Sequence, residues 1–166
     1  MEQTKYPRSF NHIGITVPDI EKAFYFYTHV LGWYPMAKPA LVFEDKSTPE
    51  GQMCIDVFGE GFKQFKVAHV SSSNGIGMEI FEFPLSTKEN YQYQPFKTSV
   101  FHICVQDPDI EGLAKKIVEN GGKQRMPIRY FDPNKPFRMV YMEDPFGNIL
   151  EIVTHSYDAI HGGSIK

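Results

Sequence analysis

The sequence lacks the features that mark nucleic-acid-binding, membrane-spanning and nucleotide-binding proteins. Its 17 lysines and arginines are outnumbered by 20 acidic residues, giving a formal net charge of −3, so no basic surface is expected for a nucleic acid. No apolar run approaches the roughly 18 residues of a membrane span. Glycine-rich phosphate loops, hydrolase elbows and paired CxxC motifs are also missing, so nucleotide and thiol chemistry have no support. We therefore expect no nucleic-acid or membrane partner.

Cysteine is scarce. The two cysteines, Cys54 and Cys104, lie in apolar runs, which makes a disulfide framework improbable. No apolar segment follows the polar residues 1–5, so a secretory signal is not expected. The hydrophobic fraction of 42% and the charged fraction of 22% are typical of a globular protein. Together these features predict a protein of the reducing cytoplasm.

What the chain does contain is an internal repeat. Residues 11–21 recur, ninety positions later, as residues 101–111. Six of the ten positions from the histidine to the glutamate are identical, including His12 and His102 and the Pro-Asp-Ile-Glu sequence that follows each. Similarity at a fixed offset defines an architectural unit. Two copies therefore predict a duplicated domain built from two like halves.

Each copy has the pattern strand, helix, then three strands. In the first copy, residues 10–17 alternate as a strand does and residues 20–31 carry apolar side chains at helical spacing. The second copy repeats this over residues 100–106 and 110–120. We predict two βαβββ modules, over residues 8–85 and 98–155, with an extra short helix near residues 48–58 in the first.

The remaining segments give weaker predictions. Residues 33–45 appear irregular apart from a strand core at 41–43, residues 85–97 have the composition of a linker, and residues 156–166 are predicted to be a tail. One continuous strand is predicted over residues 123–130. The segment 144–147 has the composition of a tight turn.

The last strand of each module carries one glutamate between two large apolar residues: Glu79 in the first and Glu151 in the second. Each glutamate therefore points to the face opposite its neighbours. If a pseudo-twofold axis relates the modules, these glutamates and His12 and His102 can converge. Two imidazoles and two carboxylates suit one Zn²⁺, Fe²⁺, Co²⁺, Ni²⁺ or Mn²⁺ ion, with positions left for substrate oxygens. Without a thiolate, a closed structural zinc site is disfavoured.

A single strand histidine is more often structural than a ligand, but recurrence in both modules favours the four-ligand site. Other polar residues lack a matched copy. His69 and Glu82 are therefore expected to have surface or packing roles. His29 is expected to be exposed, and His155 and His161 lie near the tail, where they could border a pocket.

These motifs resemble those of the vicinal oxygen chelate superfamily, also called the glyoxalase, bleomycin-resistance and dioxygenase superfamily. The resemblance spans about residues 8–155 and rests on these motifs: His12-Ile-Gly-Ile, Pro18-Asp19 with the following helix, Glu79, His102, and Asp144-Pro-Phe-Gly-Asn-Ile-Leu-Glu151. It implies an α+β fold whose paired βαβββ modules form a single domain, a cupped, mostly antiparallel sheet around one divalent metal. The implied partner is a small-molecule substrate, and a homodimer remains an open alternative.

The resemblance implies three functions, which the sequence leaves open. The leading hypothesis is a metal-dependent lyase or isomerase of glyoxalase type, because Glu79 occupies the place of a fourth ligand; Glu79 or Glu151 would then move a proton through an enolate-like intermediate. The alternative is an Fe(II) extradiol-type dioxygenase, which needs only His12, His102 and Glu151 and carries a tyrosine where Tyr141 stands. The third is a metal-free, drug-sequestering protein.

The resemblance defines the substrate less closely than it defines the metal ligands. Methylmalonyl-CoA epimerases, which have a related site, commonly carry an amide where Glu79 stands. The glutathione-binding residues of glyoxalase I have no clear counterparts here. Lys123, Arg125 and Arg129 could meet an acidic substrate.

Overall fold

The computed structural model describes residues 8–84, 98 and 100–162. The chain divides into two compact units, Met1–Ser86 and Thr87–Lys166. The predicted linker, residues 85–97, lies outside the described residues.

The first unit is a four-stranded sheet with two helices. Its strands run in the order β1-β4-β3-β2, with β1 parallel to β4 and the other neighbours antiparallel. In chain order its elements are β1 (His12–Thr16), α1 (Ile20–Tyr25, continued by a π-helical turn, Phe26–Val30), β2 (Tyr34–Phe43), α2 (Pro49–Phe58), β3 (Gln64–Ser71) and β4 (Gly77–Glu82).

Helix α1 begins where the sequence predicts it and covers one face of the sheet. The Asp19 carboxylate accepts from the backbone N–H of Lys22 at 3.0 Å and so caps the helix. Glu82 accepts a second orphan donor, the Ile20 N–H, at 2.8 Å, and pairs with Lys66 at 3.0 Å. The structural role expected for Glu82 is thus one of capping. Ile20 is fully buried, and Met78 of β4 is 1% exposed.

Strand β2 corrects the prediction that residues 33–45 are largely irregular. It pairs with β3 from Tyr34 opposite Ser71 to Phe43 opposite Gln64, with two register shifts between Pro35 and Ala40. These irregularities break the period-two pattern on which recognition of a strand depends. The strand forms an edge of its sheet, where prolines without an N–H are tolerated.

The second unit repeats the same connectivity. Its strands run in the order β5-β9-β8-β6, with β7 also paired to β8. As in the first unit, the first strand lies parallel to the last, which lies antiparallel to the strand before it. Its elements are β5 (Ile103–Gln106), α3 (Ile110–Glu119), β6 (Lys123–Gln124), β7 (Arg129–Tyr130), β8 (Arg138–Glu143), β9 (Ile149–Val153) and α4 (Tyr157–His161).

The duplicated βαβββ pattern and the α+β class are therefore confirmed. The repeated Pro-Asp-Ile-Glu sequence has the same local structure in both units: Asp109 caps α3 by accepting from the Gly112 N–H at 3.1 Å, as Asp19 caps α1. In the part of the chain that the structure describes, no helix combines the length and apolar character needed to cross a bilayer.

Two predictions in the second unit are wrong in detail. The strand expected over residues 123–130 is interrupted into β6 and β7, around a segment that includes Pro127, which cannot donate to a strand ladder. The expected tail contains α4, which buries none of its residues. Without a buried face the helix has no apolar periodicity, so the sequence pattern does not reveal it.

Candidate metal centre

In the first unit, three polar side chains share one face of the sheet. The register places Gly14 of β1 and His69 of β3 on either side of Glu79 on β4. Because strand residues alternate between faces, His12 lies on the same face as Gly14 and Glu79. The opposite face carries the apolar neighbours of Glu79, which are buried under α1. The prediction that Glu79 points to the face opposite its two apolar neighbours is thus confirmed.

The two imidazoles flank the Glu79 carboxylate. His12 Nε2 lies 3.8 Å from Glu79 Oε2, and His69 Nε2 lies 3.6 Å from Oε1. His12 Nδ1 lies 2.7 Å from the Asn11 side-chain oxygen, an acceptor, which favours the tautomer that carries the proton on Nδ1. The Nε2 lone pair of that tautomer then faces a carboxylate, an arrangement that a cation between them would stabilise.

His69 has no matched histidine in the second module, and the sequence therefore predicts a surface or packing role for it. In the structure it lies directly opposite Glu79. A signal was available in the spacing, since His69 stands ten residues before Glu79 as Tyr141 stands ten before Glu151. The register confirms that equivalence, because Tyr141 lies directly opposite Glu151.

The second unit brings its own histidine and glutamate closer together. His102 lies one residue before β5, and its Nε2 is 3.2 Å from Glu151 Oε2. Glu151 is the least exposed of the four predicted ligands, at 13% of its side chain. The Tyr141 ring meets the His102 ring edge-on, with centroids 5.6 Å apart. The Tyr141 ring therefore contacts the predicted ligand His102.

A buried ring nitrogen and a thiol lie close to the His102–Glu151 pair. His102 Nδ1 is buried and has no hydrogen-bond partner among the described residues, whereas Nε2 faces the Glu151 carboxylate. Cys104 lies opposite Glu151 on β5. The pKa of the Cys104 thiol is raised to about 12, mainly because surrounding atoms desolvate it and secondly because the negative charge of Glu151 is near. Without a bound ion, the thiol is therefore protonated at neutral pH.

The Asp144-Pro-Phe-Gly turn fixes the positions of Tyr141 and Glu151 on the two strands that it joins. Asp144 is 2% exposed, and its Oδ1 accepts from the backbone N–H groups of Phe146 and Asn148 at 2.9 and 2.8 Å. Its Oδ2 accepts from the Asn148 side chain at 2.7 Å. This turn is the physical reason for the motif near the end of the chain.

The other histidines contact aromatic rings. His29 stacks on Tyr25 with centroids 4.4 Å apart and is exposed as predicted. His155 packs against Phe137, and His161 packs against Phe131 and Tyr157.

The spacing within each pair suits two ligands of one ion. Donors each about 2.1 Å from a tetrahedral or octahedral metal lie about 3.0–3.4 Å apart. The distance of 3.2 Å between His102 and Glu151 falls in that range, and those around Glu79 are slightly longer. Within residues 8–84, 98 and 100–162, however, no group of three or more histidine, cysteine or acidic side chains is arranged to hold an ion.

A sequence profile decides the family. The profile of the Glyoxalase/Bleomycin resistance protein/Dioxygenase superfamily matches residues 9–152. The chain belongs to this superfamily. The resemblance drawn from the repeated motifs is thereby confirmed.

Solved structures of the superfamily share the fold. A glyoxalase family protein from Bacillus cereus is similar over 93% of this chain and 97% of its own, with 17% identity and a TM-score of 0.73. The fosfomycin resistance protein FosX from Listeria monocytogenes, solved with Mn(II) and sulfate, is similar over 92% of this chain and 97% of its own, with 14% identity and a TM-score of 0.56.

A glyoxalase I variant from Zea mays is similar over 89% of this chain and 44% of its own, with 16% identity and a TM-score of 0.60. At these identities the similarity shows the glyoxalase-superfamily fold alone. Among curated proteins, none matches this chain.

Proposed function

We propose that this protein is a divalent-metal-dependent lyase or isomerase of glyoxalase type, acting on a small substrate that binds through adjacent oxygens. The observation that carries the proposal is the recurrence of a histidine–glutamate pair at the start of the first strand and on the last strand of each unit, at 3.8 Å in one and 3.2 Å in the other. A residue with only a packing role would have no reason to recur with the same partner.

The ligands would be His12 and Glu79 from the first unit with His102 and Glu151 from the second. This donor set suits one Zn²⁺, Ni²⁺, Co²⁺, Mn²⁺ or Fe²⁺ ion. When bound, such an ion supplies Lewis-acid stabilisation of negative charge on a substrate oxygen. Each unit provides one matched histidine–glutamate pair, so the four proposed donors come from both units.

The glutamates would also move the proton. A carboxylate beside the chelated oxygens can take the proton from the neighbouring carbon and return it elsewhere. Glu79, with 34% of its side chain exposed, has more room to move than Glu151, with 13%. We therefore assign the proton transfer first to Glu79, with Glu151 as the alternative carrier.

A second candidate function rests on Tyr141. Its ring lies edge-on to His102 and opposite Glu151, where an Fe(II) extradiol-type dioxygenase would place a tyrosine beside its substrate. That reaction needs two histidines and one carboxylate and leaves Glu79 dispensable. A metal-free, drug-sequestering protein is the third candidate.

One set of variants separates these functions. Glu79→Gln is expected to abolish an isomerase or lyase reaction on an α-ketoaldehyde adduct, while Glu60→Gln, which changes an exposed pair with Lys46 in the same unit, leaves it intact. Oxygen uptake with catechol and Fe²⁺ that survives Glu79→Gln would instead establish the dioxygenase. Protein purified without added metal and free of any bound ion, even after incubation with each candidate ion, would favour the sequestering protein.

The cellular setting is proposed on the same basis. Cys54 and Cys104 are both free thiols, which fits a reducing cytoplasm. We propose a small molecule as the partner and leave a homodimer as a state that sedimentation analysis would detect.

A further inference from the structure

A cavity of about 300 Å³ opens in the second unit. This volume lies at the lower end of the range of ligand sites, about 300–1,000 Å³. Five residues line it: Phe101, Arg125, Met126, Tyr141 and Ile149. None of the five is one of the four predicted metal ligands.

The cavity adjoins the His102–Glu151 pair. Tyr141 and Ile149 lie on the same face of their sheet as Glu151, because Tyr141 is its cross-strand partner and Ile149 stands two residues before it. The Phe101 ring lies 4.3 Å from the His102 ring and 6.3 Å from the Tyr141 ring. A group in the cavity would therefore sit beside the predicted metal ligands.

The lining favours an uncharged aromatic group. Arg125 forms an ion pair with Glu143, which compensates its charge and removes the demand for an anion. Its backbone N–H donates to the Tyr141 carbonyl at 2.9 Å, which fixes the edge of the cavity. The rest of the lining consists of two aromatic rings and two apolar side chains, so the cavity offers stacking and apolar surfaces more than charge.

We propose that this cavity binds an uncharged aryl group of the substrate. This proposal rests on the proposed function, in which the substrate's chelating oxygens bind near His102 and Glu151 and its aryl group lies next to them. The affinity of the cavity for an aryl group needs no metal, so it can be measured independently of the reaction.

The test uses the full chain treated with EDTA, with benzyl alcohol as the probe and cyclohexylmethanol as its saturated counterpart. In heteronuclear NMR titrations, benzyl alcohol should shift the amide signals of Phe101, Met126 and Tyr141 in a saturable way. Cyclohexylmethanol should bind at least about fivefold more weakly, since it lacks the stacking contribution of about 1 kcal/mol.

Met126→Trp should fill the cavity and abolish the shifts, whereas Met53→Trp, at an exposed position of α2 in the first unit, should leave them unchanged. Met126→Ala, which only enlarges the cavity, is the second variant and should alter the affinity without loss of folding.

Equal affinity for the two alcohols, or shifts that map elsewhere, would overturn the proposal. So would unchanged binding in both Met126 variants. Failure of the proposed function has a different signature, because metal binding would be absent while the aryl probe still binds.

Discussion

Replacing Asp144 by alanine should destabilise the second unit more than any exposed turn substitution. The carboxylate is 2% exposed and accepts three hydrogen bonds, two from backbone N–H groups and one from the Asn148 side chain, at 2.7 to 2.9 Å. Removing it leaves the N–H of Phe146, a residue that is 7% exposed, without its acceptor. The turn that joins the strands of Tyr141 and Glu151 would lose these side-chain bonds and keep only its backbone bonds, from Asp144 N–H to the Asn148 carbonyl and from Gly147 N–H to the Asp144 carbonyl.

The magnitude follows from these contacts. Hydrogen bonds to a charged group contribute roughly 1.5–3 kcal/mol each, and they are not additive within one turn. Water can reach part of the loosened turn and replace some of the bonds. We therefore expect the free energy of unfolding to fall by about 3 kcal/mol, at the upper end of ordinary single substitutions.

The assay is urea denaturation followed by far-UV circular dichroism. Asp132→Ala is the matched control, because Asp132 also accepts a backbone N–H two residues on, from Asn134 at 2.9 Å, but in a turn that is less buried. Its substitution should cost less than about 1 kcal/mol. Equal losses in the two variants would refute the argument that burial of Asp144 makes its bonds valuable.

Two further outcomes are expected. Glu82→Ala should lower the free energy of unfolding by about 1–2 kcal/mol in the same assay, because it leaves the Ile20 N–H and Lys66 without their acceptor; wild-type stability would contradict that capping role. In EDTA-treated protein the pKa of Cys104, raised to about 12, keeps the thiol protonated, so alkylation by iodoacetamide at pH 8 should be at least about a hundredfold slower than that of free cysteine. A rate near that of free cysteine would contradict the raised pKa.

The repeat makes the two histidine–glutamate pairs of the candidate site predictable. A matched histidine on the first strand and a matched glutamate on the last identify both pairs, because alternation fixes which face the glutamate shares with its cross-strand neighbours. Both helix starts were equally predictable, since Asp19 and Asp109 are local caps that depend only on the next few residues.

The features that the sequence does not predict depend on pairing between residues that are distant along the chain. His69 gains its position from the antiparallel register that sets it opposite Glu79, a register that strand alternation alone does not determine. The edge strand β2 is irregular in its pairing with β3, so its alternation is lost. The cavity beside His102 requires Phe101, Met126 and Ile149 to meet from three separate segments.

The most direct test of the four-ligand hypothesis is a calorimetric titration of EDTA-treated protein with Zn²⁺. A single site that uses both units predicts one ion per chain, with affinity reduced at least about tenfold by Glu79→Gln and by Glu151→Gln alike. Two ions per chain, loss of affinity in only one of the variants, or no binding at all would contradict it.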